Sequence, residues 1–436
     1  MKAEHPMTIV TDIAKAMQEV LTERADELAR ETGFIKRQRN LTGSGFVQAL
    51  VFGWLAEGTA RLETLSQSCK NVSVDITRQG LHQRFTPEAA AFLECVLYES
   101  LSRVIQAHPV DSELLNRFDG VYVLDSTVIM LPVALEELWE GCQGSALKLS
   151  VCWDLLSGAL IDVELHSASE HDQKSLIQGM AIPKNVIRLT DLGYFKLDIL
   201  QAIHEDDGLW VTRYKLKTTV LDEMGEKLDL LEVLSQSKGQ TLDRPVYLGA
   251  NHQIPCRLIA QRVPPDKLKQ RQQQLKQWEA KHQQTASDLK WALLAWSIYV
   301  TNATSEQLTT EEVVLMIRVR WQIELLFKLW KDVMDIDDWR TEHVWRILCE
   351  VYAKLIACIV QHWLMLSGDI HALDKSMVQA TSPIQNWAWA IAYAINHPQL
   401  LLPFVKHIGQ ILATSCHIDF STSSLPTHQR IKQRTA

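Results

Sequence analysis

At Gly120 the spacing of apolar residues changes from a helical period to an alternating one, and that switch limits the possible folds more than any other feature of the chain. Upstream, "IVTDIAKAMQEVLTERADELARETG", "GSGFVQALVFGWLAEG" and "TPEAAAFLECVLYESLSRVIQAH" keep helical spacing, which predicts an all-helical N-terminal domain over residues 1–112. Downstream, "GVYVLDSTVIMLP", "LKLSVCWDLLSG" and "GALIDVELH" are β-branched runs separated by turn residues, the pattern of three successive strands. A helix over "SEHDQKSLIQGM", capped by Ser169 with Asp172 in its first turn, and a strand "NVIRLTDLGY" follow. The order strand, strand, strand, helix, strand is an α/β core that opens on an antiparallel meander, unlike the strict alternation of a dinucleotide-binding unit.

Beyond residue 206, "GLWVTRYKLKTTV", "LDLLEVL" and "DRPVYLGANHQIPCRLIAQRV" read as further strands that end at Pro264-Pro265. A polar helix, "DKLKQRQQQLKQWEAKHQQTAS", precedes an apolar strand, "WALLAWSIYVTNA". One long helix then covers "TSEQLTTEEVVLMIRVRWQIELLFKLWKDVM", with Thr309 or Thr310 as cap and Glu311 and Glu312 in the first turn. Within the N-terminal helices, Thr86-Pro87 is a helix start, and "RLETLSQSCKNVSVDITRQGLHQRF" reads as two short helices joined by a polar turn. As a helix-turn-helix, its second helix would expose Thr77, Arg78, Gln79, His82, Gln83 and Arg84, with Arg78 and Arg84 as DNA contacts.

At 436 residues the chain is too long for one ordinary core, and 47% hydrophobic with 22% charged residues is a globular balance. The most apolar stretches, "VLMIRVRWQIELLFKLW" and "VYAKLIACIVQHWLML", are broken by polar or charged residues and read as core helices, not membrane spans. The N-terminus shows no apolar signal segment, and eight scattered cysteines never form CxxC, so neither a zinc ribbon nor a disulfide framework is expected. A reducing cytoplasm is the expected compartment. A net charge of −8 argues against a basic footprint over the whole surface, but cations cluster locally. Residues 257–281 hold seven Lys or Arg against Asp266 and Glu279, and two smaller basic knots are "IKRQRN" (35–40) and "HQRIKQR" (428–434).

Three carboxylates sit where burial would make them costly. Asp125 interrupts the strand "VYVLDSTVIML", and Asp191 ends "VIRLTD" at a strand terminus, the edge that faces the ligand crevice in α/β folds. Glu324 lies on a helix at the margin of a face made by Ile323, Phe327, Trp330 and Met334. Arg320 falls about 40° and Lys331 about 20° to one side of Glu324, so the three form one stripe. Alone, an Arg–Glu pair at this spacing is a surface ion pair worth a few tenths of a kcal/mol. Together, three acids flanked by cations suit a site for one or two Mg²⁺, which could activate a water or 3′-hydroxyl against a phosphodiester. Arg320 and Lys331 would then hold phosphates.

These residues resemble the DDE transposases of bacterial insertion sequences, specifically insertion-sequence family four. That group's signature runs Tyr, two residues, Arg, three residues, Glu, six residues, Lys; here Arg320, Glu324 and Lys331 are in register, and Ile317 stands at the tyrosine. "YVLDST", "LTDLGY" and "VTNA" resemble the segments around the two aspartates and upstream of the glutamate helix.

The resemblance implies a ribonuclease-H-like core over residues 113–205 and 289–366, split by a β-rich insertion over 206–288, with a C-terminal helical region over 367–436 that could dimerise. It further implies Asp125, Asp191 and Glu324 as catalytic metal ligands for Mg²⁺, with Mn²⁺ as a substitute. The implied substrate is double-stranded DNA at the element ends and target, held by a homodimer in a synaptic complex. Trp296 resembles the aromatic that stacks on a displaced base. The implied location is the bacterial cytoplasm, on the nucleoid, with no membrane partner. A ribonuclease-H-like nuclease without strand transfer, or an inactive transposase-derived DNA-binding protein, are the alternatives.

Overall fold

A computed structural model of the chain describes residues 6–37, 40–141 and 144–418. Half of the 35–40 basic knot's centre (Gln38 and Arg39), Cys142 and the whole 428–434 knot lie outside the described residues. The N-terminal helices are α1 (Pro6–Leu21), α2 (Glu23–Glu31), α3 (Gly43–Ala56), α4 (Leu62–Asn71), α5 (Arg78–His82) and α6 (Pro87–Leu101). Threonines start three of them: the hydroxyls of Thr42, Thr77 and Thr86 accept from the N–H groups of Gly45, Gly80 and Ala89. Almost all of α3 is buried, and a side chain at Gly43 would collide with Ala25 and Ala29 of α2.

Downstream come β1 (Gly120–Met130), β2 (Ala146–Asp154), β3 (Leu160–Ser167), β4 (Val186–Thr190), α7 (Leu197–Glu205), β5 (Leu209–Arg213) and β6 (Val220–Leu221). Then α8 (Leu230–Gln236), β7 (Thr241–Leu248), β8 (Ile254–Arg262), α9 (Pro265–His282), α10 (Asp288–Leu293) and β9 (Trp296–Thr301) follow. The chain continues through α11 (Thr310–Val319), α12 (Gln322–Met334), α13 (Val344–Leu366), α14 (Met377–Ile395) and α15 (Pro398–Ser415).

The strands form one sheet in the order β3-β2-β1-β4-β5-β9-β8-β7-β6. The meander β1–β3 is antiparallel, β4 and β5 add in parallel, and β9, β8, β7 and β6 continue antiparallel from the β5 edge. A mixed α/β sheet led by a helical segment fits the ribonuclease-H-like expectation. Pairing of β1 with β4 ends at Leu124–Thr190, so Asp125 and Asp191 emerge together where β4 stops.

One face of the meander, with Val121, Val123 and Ile129 of β1 and Leu147, Leu149, Val151 and Trp153 of β2, joins a continuous core. That core includes α12 and α13 and reaches into the N-terminal helices. By length and composition α13 could cross a membrane, yet its apolar window is wholly buried inside the protein, as a core helix requires. The opposite face packs Leu124, Cys152, Ile177 and Tyr194.

The structure corrects four expectations. Residues 169–180 make two 3₁₀ turns, Asp172–Lys174 and Leu176–Gly179, and no α-helix. Glu164 accounts for this by accepting from the N–H groups of Leu176 and Ile177, which a helix would otherwise use internally, while Ser169 caps nothing and meets Ser167. "LDLLEVL" is helix α8, because Asp229 caps the N–H groups of Leu231 and Glu232. The front of "WALLAWSIYVTNA" belongs to α10, capped by Ser287, and only Trp296 onward is strand. The long helix after Thr309 divides in two at Arg320 and Trp321.

Two buried ionisable groups on α13 hold the surroundings of the sheet. Lys354 pairs with Glu350 at 3.0 Å and donates to the Asp335 carbonyl at 2.6 Å, fixing the left-handed turn that ends α12. His362 Nε2 meets the Gly158 carbonyl at 2.7 Å, and burial pushes its pKa down to about 4. In Lys354→Met, Glu350 becomes a buried unpaired charge; denaturant unfolding should show a loss of about 3–5 kcal/mol. The neutral His362 contributes stability that is complete above its unfolded pKa of about 6.5 and declines as pH falls toward about 4, because the unfolded chain takes up the proton first. The stability gap between wild type and His362→Gln should therefore narrow over that window.

Candidate active site

The site is built at the edge where β4 ends. Asp125, still on β1, points to the face on which α12 lies, and its Oδ1 accepts from the Ser126 N–H at 2.9 Å. Only 16% of its side chain is exposed; burial raises its pKa, Arg320 opposes that rise, and the nearby Asp191 charge adds to it. Asp191 begins a 3₁₀ turn, Leu192–Tyr194, and its Oδ1 accepts from the Gly193 N–H at 2.8 Å. It is thus both the turn-capping aspartate its position suggests and a residue that lines the site.

Glu324 comes from the first turn of α12. Thr309 and Glu312 cap α11 reciprocally, and Arg117 secures Glu312 at 3.1 Å. Between α11 and α12 the backbone tightens to three-residue hydrogen bonds: Trp321 N–H to Arg318 O, Ile323 N–H to Arg320 O and Glu324 N–H to Trp321 O, at 3.2, 3.3 and 3.2 Å. Past this corner Ile323, Phe327, Trp330 and Met334 are buried as the sequence predicts, and they seat α12 against the core.

Arg320 occupies the corner. Its Nη1 meets Asp125 Oδ2 at 2.5 Å and its Nη2 meets Glu324 Oε1 at 3.1 Å, so one guanidinium bridges a strand acid and the helix acid. Asp125, Asp191, Glu324, Arg320 and Lys331 all line one crevice of about 430 Å³, together with Ser126, Thr127 and Lys328. Five sequence-predicted residues from three distant segments therefore converge.

The donor set consists of hard carboxylate oxygens, with the Asp191 charge close enough to raise the Asp125 pKa, which fits a divalent cation such as Mg²⁺ or Mn²⁺. In the conformation described, no three His, Cys, Asp or Glu side chains among the described residues are grouped around a single ion position, and the Arg320 guanidinium supplies the neutralising charge.

Asp191 and Arg320 also border a second, larger cleft of about 670 Å³, shared with Arg213, Arg262, Lys267, Arg271, Arg318 and Trp321. Arg271 is tied to the Trp296 carbonyl and the Ser297 hydroxyl, so helix α9 is pinned to β9 by a cation. Burial lowers the Arg271 pKa. Ile317, at the signature's tyrosine, lines this cleft. Trp296, which resembles the stacking aromatic in sequence, is buried with Leu234 and Ala260, and the Arg262 guanidinium covers its ring at 4.4 Å. Trp321 is the aromatic that stands open at the cleft, with 58% exposure. An exposed aromatic between Arg320 and Glu324 on a helix otherwise seated in the core was the available signal in the sequence.

On the N-terminal helices, Thr77, Arg78, Gln79, His82, Gln83 and Arg84 are all exposed, while Leu81 and Phe85 anchor the segment. Arg84 borders a cleft of about 630 Å³ with Lys36, Arg37 and Asn40, away from the acids.

Comparison with known proteins places the chain among relatives of one kind. Residues 116–360, which contain all three acids, match the profile of the family described as "Transposase DDE domain". The chain is 26% identical over 426 residues to the transposase for insertion sequence element IS231F of Bacillus thuringiensis subsp. israelensis, covering 90% of this chain and 89% of that protein. It is 27% identical over 416 residues to the IS231C transposase of Bacillus thuringiensis subsp. berliner, covering 89% and 85%. It is also 24% identical over 379 residues to the IS1151 transposase of Clostridium perfringens, covering 81% and 79%.

Proposed function

The chain belongs to the DDE transposase family, and from that membership we propose that it cleaves and joins DNA strands at the terminal inverted repeats of an insertion sequence, using the Asp125–Asp191–Glu324 crevice. The observation that carries this reading is the convergence of those acids with Arg320 and Lys331 in one crevice beside a cationic cleft. Asp125, Asp191 and Glu324 hold Mg²⁺, with Mn²⁺ as a substitute. A cation held there would supply activation of the attacking oxygen and stabilisation of the leaving one. Arg320 and Lys331 grip the scissile and adjoining phosphates, Arg as a fork and Lys as a point charge.

DNA leads into the crevice along the larger cleft, where Arg213, Lys267 and Arg318 meet phosphates and Trp321 offers an aromatic face to a base. The insertion over residues 206–288 carries β5–β8 with α8 and α9, in a ribonuclease-H-like core made by β1–β4, β9, α11 and α12. Residues 1–112 are a second DNA-binding unit acting through Arg78 and Arg84, and the C-terminal helices support a homodimer that pairs two ends. Element ends and target are genomic, so the protein works in the cytoplasm on the nucleoid.

Incubated with Mg²⁺ and a DNA fragment carrying its own element's end, the protein should nick and then join strands. Asp125→Asn, Asp191→Asn and Glu324→Gln should each abolish nicking while still shifting the fragment in a gel. Nicking that survives Asp125→Asn would sink the assignment, and nicking without joining would identify a nuclease. For the cleft, Lys267→Ala and Arg318→Ala should each weaken binding and reduce the slope of log affinity against log salt by about 0.9. A slope left unchanged would exclude phosphate contacts at those positions.

A further inference from the structure

Every residue of β2 is buried, and its helix-side positions are apolar as that burial demands. The other face carries Lys148 and Ser150, in register with His166 of β3 and Ser126 of β1. A lysine on a central strand is costly unless it is paired. Its partner is Asp172, at 3.2 Å, from the 3₁₀ segment between β3 and β4, and the Glu170 carbonyl is a second acceptor.

Asp172 reaches both halves of the catalytic edge. Its Oδ1 accepts from the Ser126 hydroxyl at 3.0 Å, and Ser126 directly follows Asp125 and lines the crevice. Its Oδ2 lies against Gly193: a Cβ there would stand 2.9 Å from Asp172 Oδ2 and 3.0 Å from Asp191 Oδ1, so the two carboxylates flank one glycine. The same segment supports the Asp191 turn further along. Gln173 donates to the Phe195 carbonyl at 3.2 Å and Gln178 to the Tyr194 carbonyl at 2.8 Å, while the Tyr194 hydroxyl meets Ser150 at 3.4 Å.

We propose that Asp172, held by Lys148, is a positioning residue that fixes the β1 edge at Asp125 against the turn at Asp191, and thereby sets the affinity of the site for a divalent cation. The inference rests on the metal-binding reading of the Asp125–Asp191 pair. The two acids repel each other, and only a rigid frame keeps them at a spacing a cation can use. Asp172 provides that frame from beneath without being a ligand, because one of its oxygens is taken by Ser126 and Lys148 and the other faces the Gly193 backbone. Partners of this kind typically govern metal affinity by about 10-fold to 100-fold when removed.

The test is Mn²⁺ binding to the full chain without DNA, read by electron paramagnetic resonance of the free ion, with thermal unfolding in metal-free buffer alongside. Asp125→Asn should abolish the site, and Asp172→Asn should weaken it about 10-fold or more. Ser126→Ala should weaken it in the same direction by less, with its metal-free melting temperature unchanged. Should Asp172→Asn fail to fold, Ser126→Ala decides alone. Wild-type affinity in both Asp172→Asn and Ser126→Ala, with Asp125→Asn unable to bind, overturns the positioning role and leaves the metal site standing. Wild-type binding that is indifferent to Asp125→Asn overturns the metal-site reading, and the positioning role with it.

Discussion

One guanidinium holds together the edge where the three acids meet. Burial disfavours ionised Asp125, Asp191 adds repulsion, and Arg320 opposes both while also holding Glu324. It reaches both acids only because the helix tightens at residues 318–324, which turns an ordinary i, i+4 pair into a bridge between helix and strand. The sheet order supplies the rest: β1 and β4 are parallel neighbours, and β4 ends one residue before Asp191, so the two aspartates share an edge. The buried face of α12 then brings Glu324 to that edge, and Lys354 locks the far end of the same helix.

The sequence marks such acids by what surrounds them and cannot show what they bond. Asp125 and Asp154 both sit on buried strands of the meander. Asp154 is filled by its own fold, accepting from the N–H groups of Val121, Leu156 and Ser157 and from the Ser157 hydroxyl, which makes it a structural corner. Asp125 has one backbone donor and otherwise faces a cation and a crevice. What singles out Asp125 in the sequence is the company of Asp191 and the Arg-Glu-Lys stripe, not burial.

The meander, β4, the strand character of β7 and β8 and the apolar face of α12 were legible because period and turn residues agree there. Misreadings cluster where a polar side chain outcompetes local pattern: Glu164 unwinds residues 169–180, Asp229 starts α8 in an apolar run, and Ser287 starts α10. Local pattern favours Asp172 as a helix first-turn acid over a support for the site, because its partners Lys148, Ser126 and Gly193 are distant in sequence. The break at Arg320 was hidden because both halves of the segment are apolar on one side, and a continuous period looks the same whether or not the helix bends.

The N-terminal helices are not appended to this site by a linker. Gly58, in the turn between α3 and α4, packs against Asp335 and Met334 at the end of the glutamate helix. His82 of α5 stacks edge-on against His343 at the start of α13, and Trp339 donates to the Met130 carbonyl at the end of β1. The segment from Asp335 to His343 is therefore a junction where the glutamate helix, the strand of Asp125 and the exposed Arg78–Arg84 face all meet. Arg320 stands at the other end of the glutamate helix, where it is counter-ion to two acids and lines both the crevice and the cationic cleft. Its guanidinium has more N–H donors than the two used here, so a further acceptor on the cleft side meets N–H groups not committed to the acids.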